Sequence, residues 1–354
     1  MQVALYDPQF GYYCRKDRTR WGREGDYRTL PERTPLFAAT LARYFFKLYQ
    51  QLDSPPEWTI VEAGAGEGQF AEVVLQTLER QYAPAFAALR YVVDEQSAAS
   101  RGVLQERLAR FGNKVSFLPL SDLRTDITGI VFSNELLDAL PVHRVTLENG
   151  NLRELYVTLS DEGEFAWTSG PLSTPQLSEY FDLVGVHLAH EGQIAEVNLD
   201  LNTWLTTAAS QLSRGYLVTI DYGDTAENLL TPRGTHQRGT GVPPVWPRDE
   251  GTLRAYHRHQ FHDVLKHPGE NDLTTTIDWT YVRKLGKRLN LETVLFERLD
   301  KFLWSVGLLD QLDLIAAQTD VESEKASLRT GARELILPTG MSPSFQILVQ
   351  RKVC

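Results

Sequence analysis

Three glycines follow directly on an apolar run in the segment TIVEAGAGEGQF, as Gly64, Gly66 and Gly68. Glycine has no β-carbon, so a turn built from it can bring backbone atoms close to a ligand. An acid, Glu62, stands two positions ahead of the first glycine. A carboxylate beside such a turn suits a ligand that carries positive charge. The alternative is that the glycines serve only to pack a strand against the helix that follows.

The spacing of the glycines distinguishes between two kinds of nucleoside cofactor. A dinucleotide presents a pyrophosphate and is typical of G-x-G-x-x-G, but Gln69 occupies the position of the last glycine here. S-adenosylmethionine carries no phosphate; its sulfonium and ammonium are both cationic. Glu62 can receive the ammonium, and an acid after the second predicted strand, Asp94 or Glu95, can receive the ribose hydroxyls. We therefore predict S-adenosylmethionine as the cofactor, bound by Glu62, Gly64, Gly66, Gly68 and Glu95.

A second group of acids follows the fourth predicted strand, in VFSNELLDALPV. Glu135 and Asp138 are three positions apart, and Pro141 limits any helix here to about one turn. On one helical turn both carboxylates would face the same way, toward the transferred methyl group. The alternative is that the two acids have no catalytic role and only stabilise the first turn of a short helix through its dipole. We predict Asn134, Glu135 and Asp138 as the catalytic residues, without deciding which acid accepts a proton.

The elements that position these residues alternate along the chain. Strand-like apolar runs, several of them followed by helical periodicity, occur between residues 58 and 223, and a late strand, a helix and a closing strand follow. Such alternation predicts an α/β fold, a mostly parallel sheet with helices on both faces. In an open sheet of this kind ligands bind beyond the carboxyl ends of the strands. The strand-like runs are WTIVEAG, LRYVVDEQ, KVSFLPL, GIVFSNE and GYLVTIDYG.

Two segments interrupt the alternation, one with a predicted hairpin around ENGN and one rich in Pro, Gly and His. They follow the fourth and fifth strands, so we interpret them as insertions that cover the site and form the walls of a substrate groove. The predicted division is a cap over residues 1–50, a cofactor-binding core over 51–141, 215–223 and 290–354, and an inserted substrate-binding region over 142–214 and 224–289.

Composition narrows the function classes. The net charge of −10 argues against nucleic acid as the main partner, because phosphate binding requires basic surface. The two cysteines, Cys14 and Cys354, cannot form a disulfide framework and indicate a reducing compartment. No apolar run approaches the length of a membrane span, and the start MQVALYDPQFGYY lacks the features of a leader peptide. We expect a cytoplasmic protein without membrane insertion.

Two further motifs allow more than one interpretation. The histidines of HRHQFH, residues 257–262, are spaced like metal ligands, but no cysteine is near and methyl transfer from a sulfonium needs no Lewis acid. We predict no metal, and a groove-lining or backbone-bonding role for these histidines. In DPQFGYY, Tyr12 and Tyr13 either pack an N-terminal lid or contact the cofactor.

Several separated motifs, taken in order, resemble the MidA-like family of class I S-adenosylmethionine-dependent methyltransferases. The resemblance runs from about Tyr6 to Lys352. It implies a Rossmann-like methyltransferase core, and the family's mitochondrial members are complex I assembly factors that methylate a protein arginine. The motifs are DPQFGYY, EAGAGEGQ, DEQSAASRGVLQERL, NELLDALPV, TIDYG, GTLRAYHRH, PGENDLTTTIDW and LPTGMSPSFQILVQRK.

The resemblance also implies residues on the substrate side, namely Asp221, Tyr222, His259 and Asp272. It points to a protein substrate that presents an arginine, in particular a respiratory complex I subunit. Carboxylates can pair with a guanidinium bidentately and can accept a proton as the new C–N bond forms. We predict protein arginine N-methylation. The alternatives are a small-molecule or O-methyltransferase, and a non-catalytic assembly protein that retains the cofactor pocket.

Overall fold

A computed structural model describes residues 1–15, 30–123, 126–231, 249–258 and 260–353. The strands are β1 (Trp58–Ala63), β2 (Leu89–Asp94), β3 (Val115–Phe117), β4 (Ile127–Asn134), β5 (His143–Glu148), β6 (Asn151–Leu159), β7 (Phe165–Gly170), β8 (Ile194–Val197), β9 (Leu212–Asp224), β10 (Arg254–His257), β11 (Gln260–His262), β12 (Asp272–Thr274), β13 (Ile277–Asp278), β14 (Leu291–Arg298) and β15 (Phe345–Lys352).

The helices lie between these strands and at the N-terminus. They are α1 (Gln2–Tyr6), α2 (Leu30–Arg33), α3 (Pro35–Gln51), α4 (Gln69–Gln81), α5 (Ala83–Ala88), α6 (Ala98–Leu108), α7 (Gln176–Val184), α8 (Asp200–Gln211), α9 (Ala226–Leu230), α10 (Trp279–Arg288), α11 (Leu299–Val306), α12 (Leu308–Ala316) and α13 (Glu322–Ile336).

The central sheet has the strand order β14-β15-β9-β4-β1-β2-β3, with the short β13 added parallel to β9. The five strands from β3 to β9 are parallel, whereas β15 is antiparallel to both of its neighbours. This confirms the predicted mostly parallel sheet. The chain order reverses between β1 and β4, and a crevice at the carboxyl ends of the strands is expected at such a reversal.

Helices cover both faces of this sheet, as predicted. Along β1, Ile60 and Val61 are both fully buried, yet successive side chains of a strand point to opposite faces. Ile60 belongs to a cluster with side chains of α3, α4, α11 and α13. Val61 belongs to a second cluster with side chains of α7, α8 and α10. Burial on both faces explains why the strands read as continuous apolar runs.

Each interrupting segment forms a small antiparallel sheet of its own. The first has the order β7-β6-β5-β8, and β5 with β6 forms the hairpin predicted around ENGN; the second has the order β11-β10-β12. The helices α8 and α10 fall within the segments predicted as inserted, but their side chains join the core under the central sheet. The boundaries between the predicted domains therefore stay a prediction.

The N-terminal segment packs on the second small sheet. Leu5 and Tyr12 are fully buried in a cluster with Ala255 and Leu273. Tyr12 therefore packs the N-terminal segment, which is the first of the two alternatives given for this residue. None of the helices in the described ranges combines the length and apolar character needed to cross a membrane.

Candidate functional site

A cavity of about 830 Å³ lies at the carboxyl ends of β1, β2 and β4. Its lining comes from the glycine turn, the segments after β2 and β4, both inserted regions and the N-terminal segment. Gly68 and Asp221 are not part of this lining, and His259 lies outside the described residues. The predicted site residues that do line the cavity are Glu62, Gly64, Gly66, Glu95, Asn134, Glu135, Asp138, Tyr222 and Asp272.

The turn after β1 requires glycine at three positions. Gly64, Gly66 and Gly68 have φ values of 73°, 55° and 82°, in the left-handed region that other residues rarely adopt. Gly68 begins α4, and a β-carbon there would lie 2.9 Å from Leu104 Cδ1. Gly68 therefore serves the packing of the turn against a helix, as the alternative interpretation of the glycines proposed. Gly64 and Gly66 instead present backbone to the cavity.

Glu95 connects the glycine turn to the start of α6. Its Oε2 accepts a hydrogen bond of 2.8 Å from Gly66 N, and its Oε1 accepts one of 2.7 Å from Ser97 N. The neighbouring acid Asp94 also lines the cavity, but its Oδ2 accepts from the amide of Leu120 at 3.0 Å. Of the two acids considered for the ribose, Glu95 is the one fixed against the glycine turn.

Glu62 is buried in the cavity wall, where Tyr91 Oη donates a 2.6 Å hydrogen bond to its Oε2. Burial raises the pKa of Glu62 to about 7, and the charge of Glu95 adds to the rise although the bond from Tyr91 opposes it. An ammonium bound beside Glu62 would favour the ionised form, because an opposite charge lowers the pKa of a carboxyl.

The segment after β4 is a tight turn rather than the predicted helical turn. Glu135 has a φ of 49°, which a right-handed helix does not allow, and the next residues form a bend and a turn up to Leu140. A residue other than glycine is strained in the left-handed conformation, and such residues occur more often at functional sites. Glu135 and Asp138 nevertheless both reach the cavity.

Asp221, predicted on the substrate side, instead holds this turn from below. Its Oδ2 accepts from the amides of Leu137 and Asp138 at 3.0 and 3.2 Å, and its Oδ1 accepts from the amide of Tyr222 at 2.9 Å. The side chain is fully buried, and burial raises the pKa of Asp221 well above its ordinary value. Asp221 therefore contributes to the site indirectly, by fixing the backbone of the turn that carries Asp138.

One oxygen of Asp138 accepts hydrogen bonds from two hydroxyl groups. Its Oδ2 accepts hydrogen bonds of 2.6 Å from both Tyr222 Oη and Thr274 Oγ1, and those two hydroxyls also contact each other. Its Oδ1 is buried and has no hydrogen-bond partner among the described residues. Burial raises the pKa of Asp138, although the two hydroxyls and the backbone of Asp138 and Ala139 oppose the rise. The free oxygen is an acceptor for a ligand.

Glu135 differs from Asp138 in its surroundings. Burial, followed by the charge of Asp138, raises the pKa of Glu135 to about 8. Asn134 Nδ2 donates to its Oε1 at 3.2 Å, and the backbone of Leu30 also bonds it. The turn therefore brings together two acids whose protonation depends on what binds between them.

The N-terminal segment joins the cofactor side of the cavity to the inserted region. Tyr13 Oη donates to Asp272 Oδ1 at 2.7 Å, while the carbonyl of Tyr13 accepts from Ser97 Oγ at 2.6 Å. Tyr6 Oη donates to the carbonyl of Ala139 at 2.9 Å. Tyr13, unlike Tyr12, lines the cavity. The predicted substrate residue Asp272 thus also anchors the segment that covers the site.

The charge of the lining is one-sided. Within the described residues it includes nine carboxylic acids and no lysine, arginine or histidine. Such a lining favours a cationic ligand, and S-adenosylmethionine fits it: the glycine turn offers open backbone, Glu62 lies beside it, and Trp204 Nε1 is a buried donor without a partner in the described chain. The nine acids are Glu32, Glu62, Glu67, Asp94, Glu95, Glu135, Asp138, Asp200 and Asp272.

Several residues of the site were not predicted from the sequence. Tyr91 lies within a buried strand, where an aromatic residue is ordinary, and only the packing shows that it bonds Glu62. Asp200 and Trp204 lie in the N-terminal part of α8, whose helical spacing predicts a core helix but not contact with the cavity. In the described ranges no group of three His, Cys, Asp or Glu side chains is arranged to hold a metal ion.

Comparison with known proteins places the chain in a family. A family described as "Putative S-adenosyl-L-methionine-dependent methyltransferase" matches residues 40–296. The Drosophila melanogaster protein arginine methyltransferase NDUFAF7 homolog, mitochondrial, is 26% identical over 98% of this chain and 79% of its own length. The human protein arginine methyltransferase NDUFAF7, mitochondrial, is 23% identical over 98% of this chain and 77% of its own length.

A solved structure supports the same assignment. The crystal structure of a protein from Burkholderia thailandensis bound to S-adenosyl-homocysteine has a TM-score of 0.80 and 25% sequence identity. The match covers 99% of this chain and 86% of that one. A second crystal structure from the same organism has a TM-score of 0.78 and 26% identity, covering 99% and 85% of the two chains.

The predicted cytoplasmic location is contradicted, because the curated relatives are named as mitochondrial proteins. The prediction rested on cysteine content and on the first residues. Cysteine content indicates only a reducing environment and does not distinguish one such compartment from another.

The predicted cofactor and reaction class are confirmed by the family, its relatives and the structure bound to S-adenosyl-homocysteine. The chain belongs to this family of S-adenosylmethionine-dependent methyltransferases, and has its class I α/β fold.

Proposed function

We propose that this enzyme methylates the side chain of an arginine in a protein. The observation that carries the proposal is the acidic cavity, whose described lining offers nine carboxylic acids and no basic side chain. A guanidinium stays charged at any cellular pH and binds carboxylates through several N–H donors. Relatives at 26% and 23% identity are named protein arginine methyltransferases, which agrees with this reading.

The residues of the chain would divide the work as follows. S-adenosylmethionine, when bound, supplies an electrophilic methyl group on sulfur. Glu62, Gly66 and Glu95 hold the cofactor in place. Asp138 and Glu135 pair with the guanidinium and turn one nitrogen toward the methyl group, which is mainly a matter of positioning. As the nitrogen electron pair forms the C–N bond, the C–S electron pair stays on sulfur and one N–H proton passes to a carboxylate.

The inserted regions would form the walls through which a protein segment reaches these acids. Asp200 and Trp204 line the cavity from the first region, and Tyr256 and Asp272 line it from the second. The partner that the family resemblance implies is a subunit of respiratory complex I. Because the cavity is acidic, binding of a segment that presents an arginine should weaken as salt concentration rises.

The test is to incubate the purified protein with isotope-labelled S-adenosylmethionine and a cell lysate, and to locate the label by mass spectrometry. Methylated arginine in a protein is the expected product, and Asp138→Asn should abolish it. Label that is found in small molecules, or that is released from protein by mild base, would contradict the proposal and favour a small-molecule or O-methyltransferase. An N-methylated guanidinium survives that treatment, whereas a methyl ester does not.

A further inference from the structure

Three buried polar atoms that belong to the cavity lining have no hydrogen-bond partner in the described chain. They are Oδ1 of Asn134, Oδ1 of Asp138 and Nε1 of Trp204. One acceptor is on the last residue of β4, the other is on the turn that follows, and the donor is on α8. Leaving a buried polar atom unpaired costs free energy, so such atoms in a cavity indicate groups that a ligand satisfies.

The hydrogen bonds to Oδ2 of Asp138 fix the orientation of its free Oδ1. Tyr222 from β9 and Thr274 from β12 both donate to Oδ2, so the carboxylate cannot rotate without losing two hydrogen bonds of 2.6 Å. Asp221 fixes the backbone beneath it through the amides of Leu137 and Asp138. Oδ1 is thereby left to the cavity in one orientation.

The amide of Asn134 is oriented in a similar way. Its Nδ2 donates to Glu135 Oε1 at 3.2 Å, so the amide oxygen is the atom without a partner. Asn134 is the last residue of β4, and its backbone is paired in register with Ile220 of the central sheet. A residue so placed has little freedom to turn its oxygen away.

We propose that Asn134 Oδ1 and Asp138 Oδ1 form an acceptor pair that selects the target by the N–H donors it presents. The inference rests on the proposed function and deepens it: Asn134 becomes a specificity-determining residue, and Tyr222 and Thr274 become positioning residues for Asp138. A guanidinium presents N–H donors on both terminal nitrogens. A ureido group of nearly the same shape is uncharged and places a carbonyl oxygen where one donor would be, and a site built to accept hydrogen bonds rejects such an isostere.

The experiment compares two small probes on the protein saturated with S-adenosylhomocysteine. The probes are N-acetyl-arginine amide and N-acetyl-citrulline amide, titrated at millimolar concentration and followed by ligand-observed NMR. The wild-type protein should bind the arginine probe at least about tenfold more tightly than the citrulline probe. Asn134→Ala should lower that preference by at least about threefold, the remainder coming from the charge of the guanidinium in the acidic cavity, while affinity for S-adenosylhomocysteine stays within about threefold. Asn228→Ala, at an exposed position of helix α9, is the matched control and should change neither.

The positioning role is tested at Thr274. Thr274→Val removes the hydroxyl that donates to Asp138 while keeping the shape of the side chain, and should lower the preference for arginine. Thr274→Ser keeps a hydroxyl but lacks the methyl group, and should retain the preference. If the methyl group mattered only for packing, Thr274→Ser would lose the preference and Thr274→Val would keep it. Because Thr274 lies on the inserted sheet, this pair of variants decides the Asp138 half of the proposal even where Asn134→Ala does not fold.

Failure of the inference and failure of the proposed function give different results. No preference for arginine in the wild-type protein overturns the arginine assignment itself. A wild-type preference that is undiminished in both Asn134→Ala and Thr274→Val overturns the acceptor pair and leaves the arginine assignment intact. A folded Asn134→Ala variant that loses affinity for S-adenosylhomocysteine by about tenfold or more would show that the oxygen serves the cofactor, and would overturn the inference as well.

Discussion

Tyr91 Oη donates a 2.6 Å hydrogen bond to Glu62 Oε2 at the base of the cofactor cavity. That bond favours the carboxylate, yet the loss of hydration in the buried site is the larger effect, and the pKa of Glu62 is raised to about 7. Near neutral pH the side chain is therefore partly protonated before the cofactor binds. Its ionisation is then coupled to the binding of a cation.

We predict that affinity for S-adenosylmethionine rises with pH up to about 7 and levels off above it. The cofactor's ammonium favours ionised Glu62, so binding below pH 7 must displace a proton. The affinity at pH 6 should be about tenfold lower than at pH 8. Calorimetry in buffers of different ionisation enthalpy measures both the affinity and the protons released. Glu62→Gln should bind more weakly and lose most of the pH dependence; an unchanged pH profile in that variant would assign the effect to another group.

Without cofactor, we predict that stability falls as pH rises from about 5 to 8. The ordinary pKa of Glu135 is 4.5 and its folded value is about 8, so the folded protein binds more protons than the unfolded chain in this window. One such group changes the free energy of unfolding by up to about 1.4 kcal/mol per pH unit. Urea unfolding at pH 6 and pH 8 checks this, and Glu135→Gln should reduce the dependence, the remainder coming from the other buried acids with raised pKa, Glu62 among them. Greater stability at pH 8 than at pH 6 would contradict the prediction.

Gly66→Val should abolish cofactor binding. Gly66 has a φ of 55°, which a β-branched residue strongly disfavours, and its amide bonds Glu95 at the cofactor cavity. The matched control is Gly102→Val, because Gly102 lies on α6 and has nothing within 4 Å of an added β-carbon. Calorimetric titration with S-adenosylmethionine should show normal affinity for the control. A folded Gly66→Val protein with unchanged affinity would refute the cofactor site.

Asp221→Ala should lower the free energy of unfolding by about 2–4 kcal/mol, because it leaves the amides of Leu137 and Asp138 without an acceptor in a buried site. Relief of charge repulsion offsets little of this, since the raised pKa of Asp221 favours its neutral form. Asp310→Ala is the control: its side chain is 62% exposed and pairs with Arg43, so the cost should stay below about 1 kcal/mol. Urea unfolding measures both free energies. If the two variants lose the same free energy of unfolding, Asp221 does not stabilise the turn.

Asp272→Ala should lower methyl transfer while affinity for S-adenosylmethionine stays within a few fold, because Asp272 lies on the inserted sheet beside the proposed groove. We expect the same of His259→Ala. Tyr13→Phe tests the mechanism, since it removes the hydroxyl that donates to Asp272 but keeps the carboxylate. If Tyr13→Phe has the full effect of Asp272→Ala, anchoring of the N-terminal segment explains it. A folded Asp272→Ala protein that loses cofactor binding would instead place this insertion over the adenosine.

Local patterns in the sequence determined the sheet, the glycine turn and the acids at the strand ends. Hydrophobic periodicity reports which residues face the core, and it depends only on neighbours along the chain. The glycines at 64 and 66 are recognisable for the same reason, since their backbone angles are a local property. The segment NELLDALPV was located correctly, although a helical turn was expected where Glu135 adopts a left-handed conformation.

Only the tertiary structure decided what each acid does. Asp138 and Asp221 both stand at strand ends in the sequence, yet one faces the cavity and the other anchors the turn beneath it. Thr274, which orients Asp138, is 136 residues away along the chain. Such hydrogen bonds form because the register of the sheet and the packing of the insertions bring distant segments together. Periodicity and spacing along the chain carry no information about these contacts, so the roles of the acids became visible only in the folded protein.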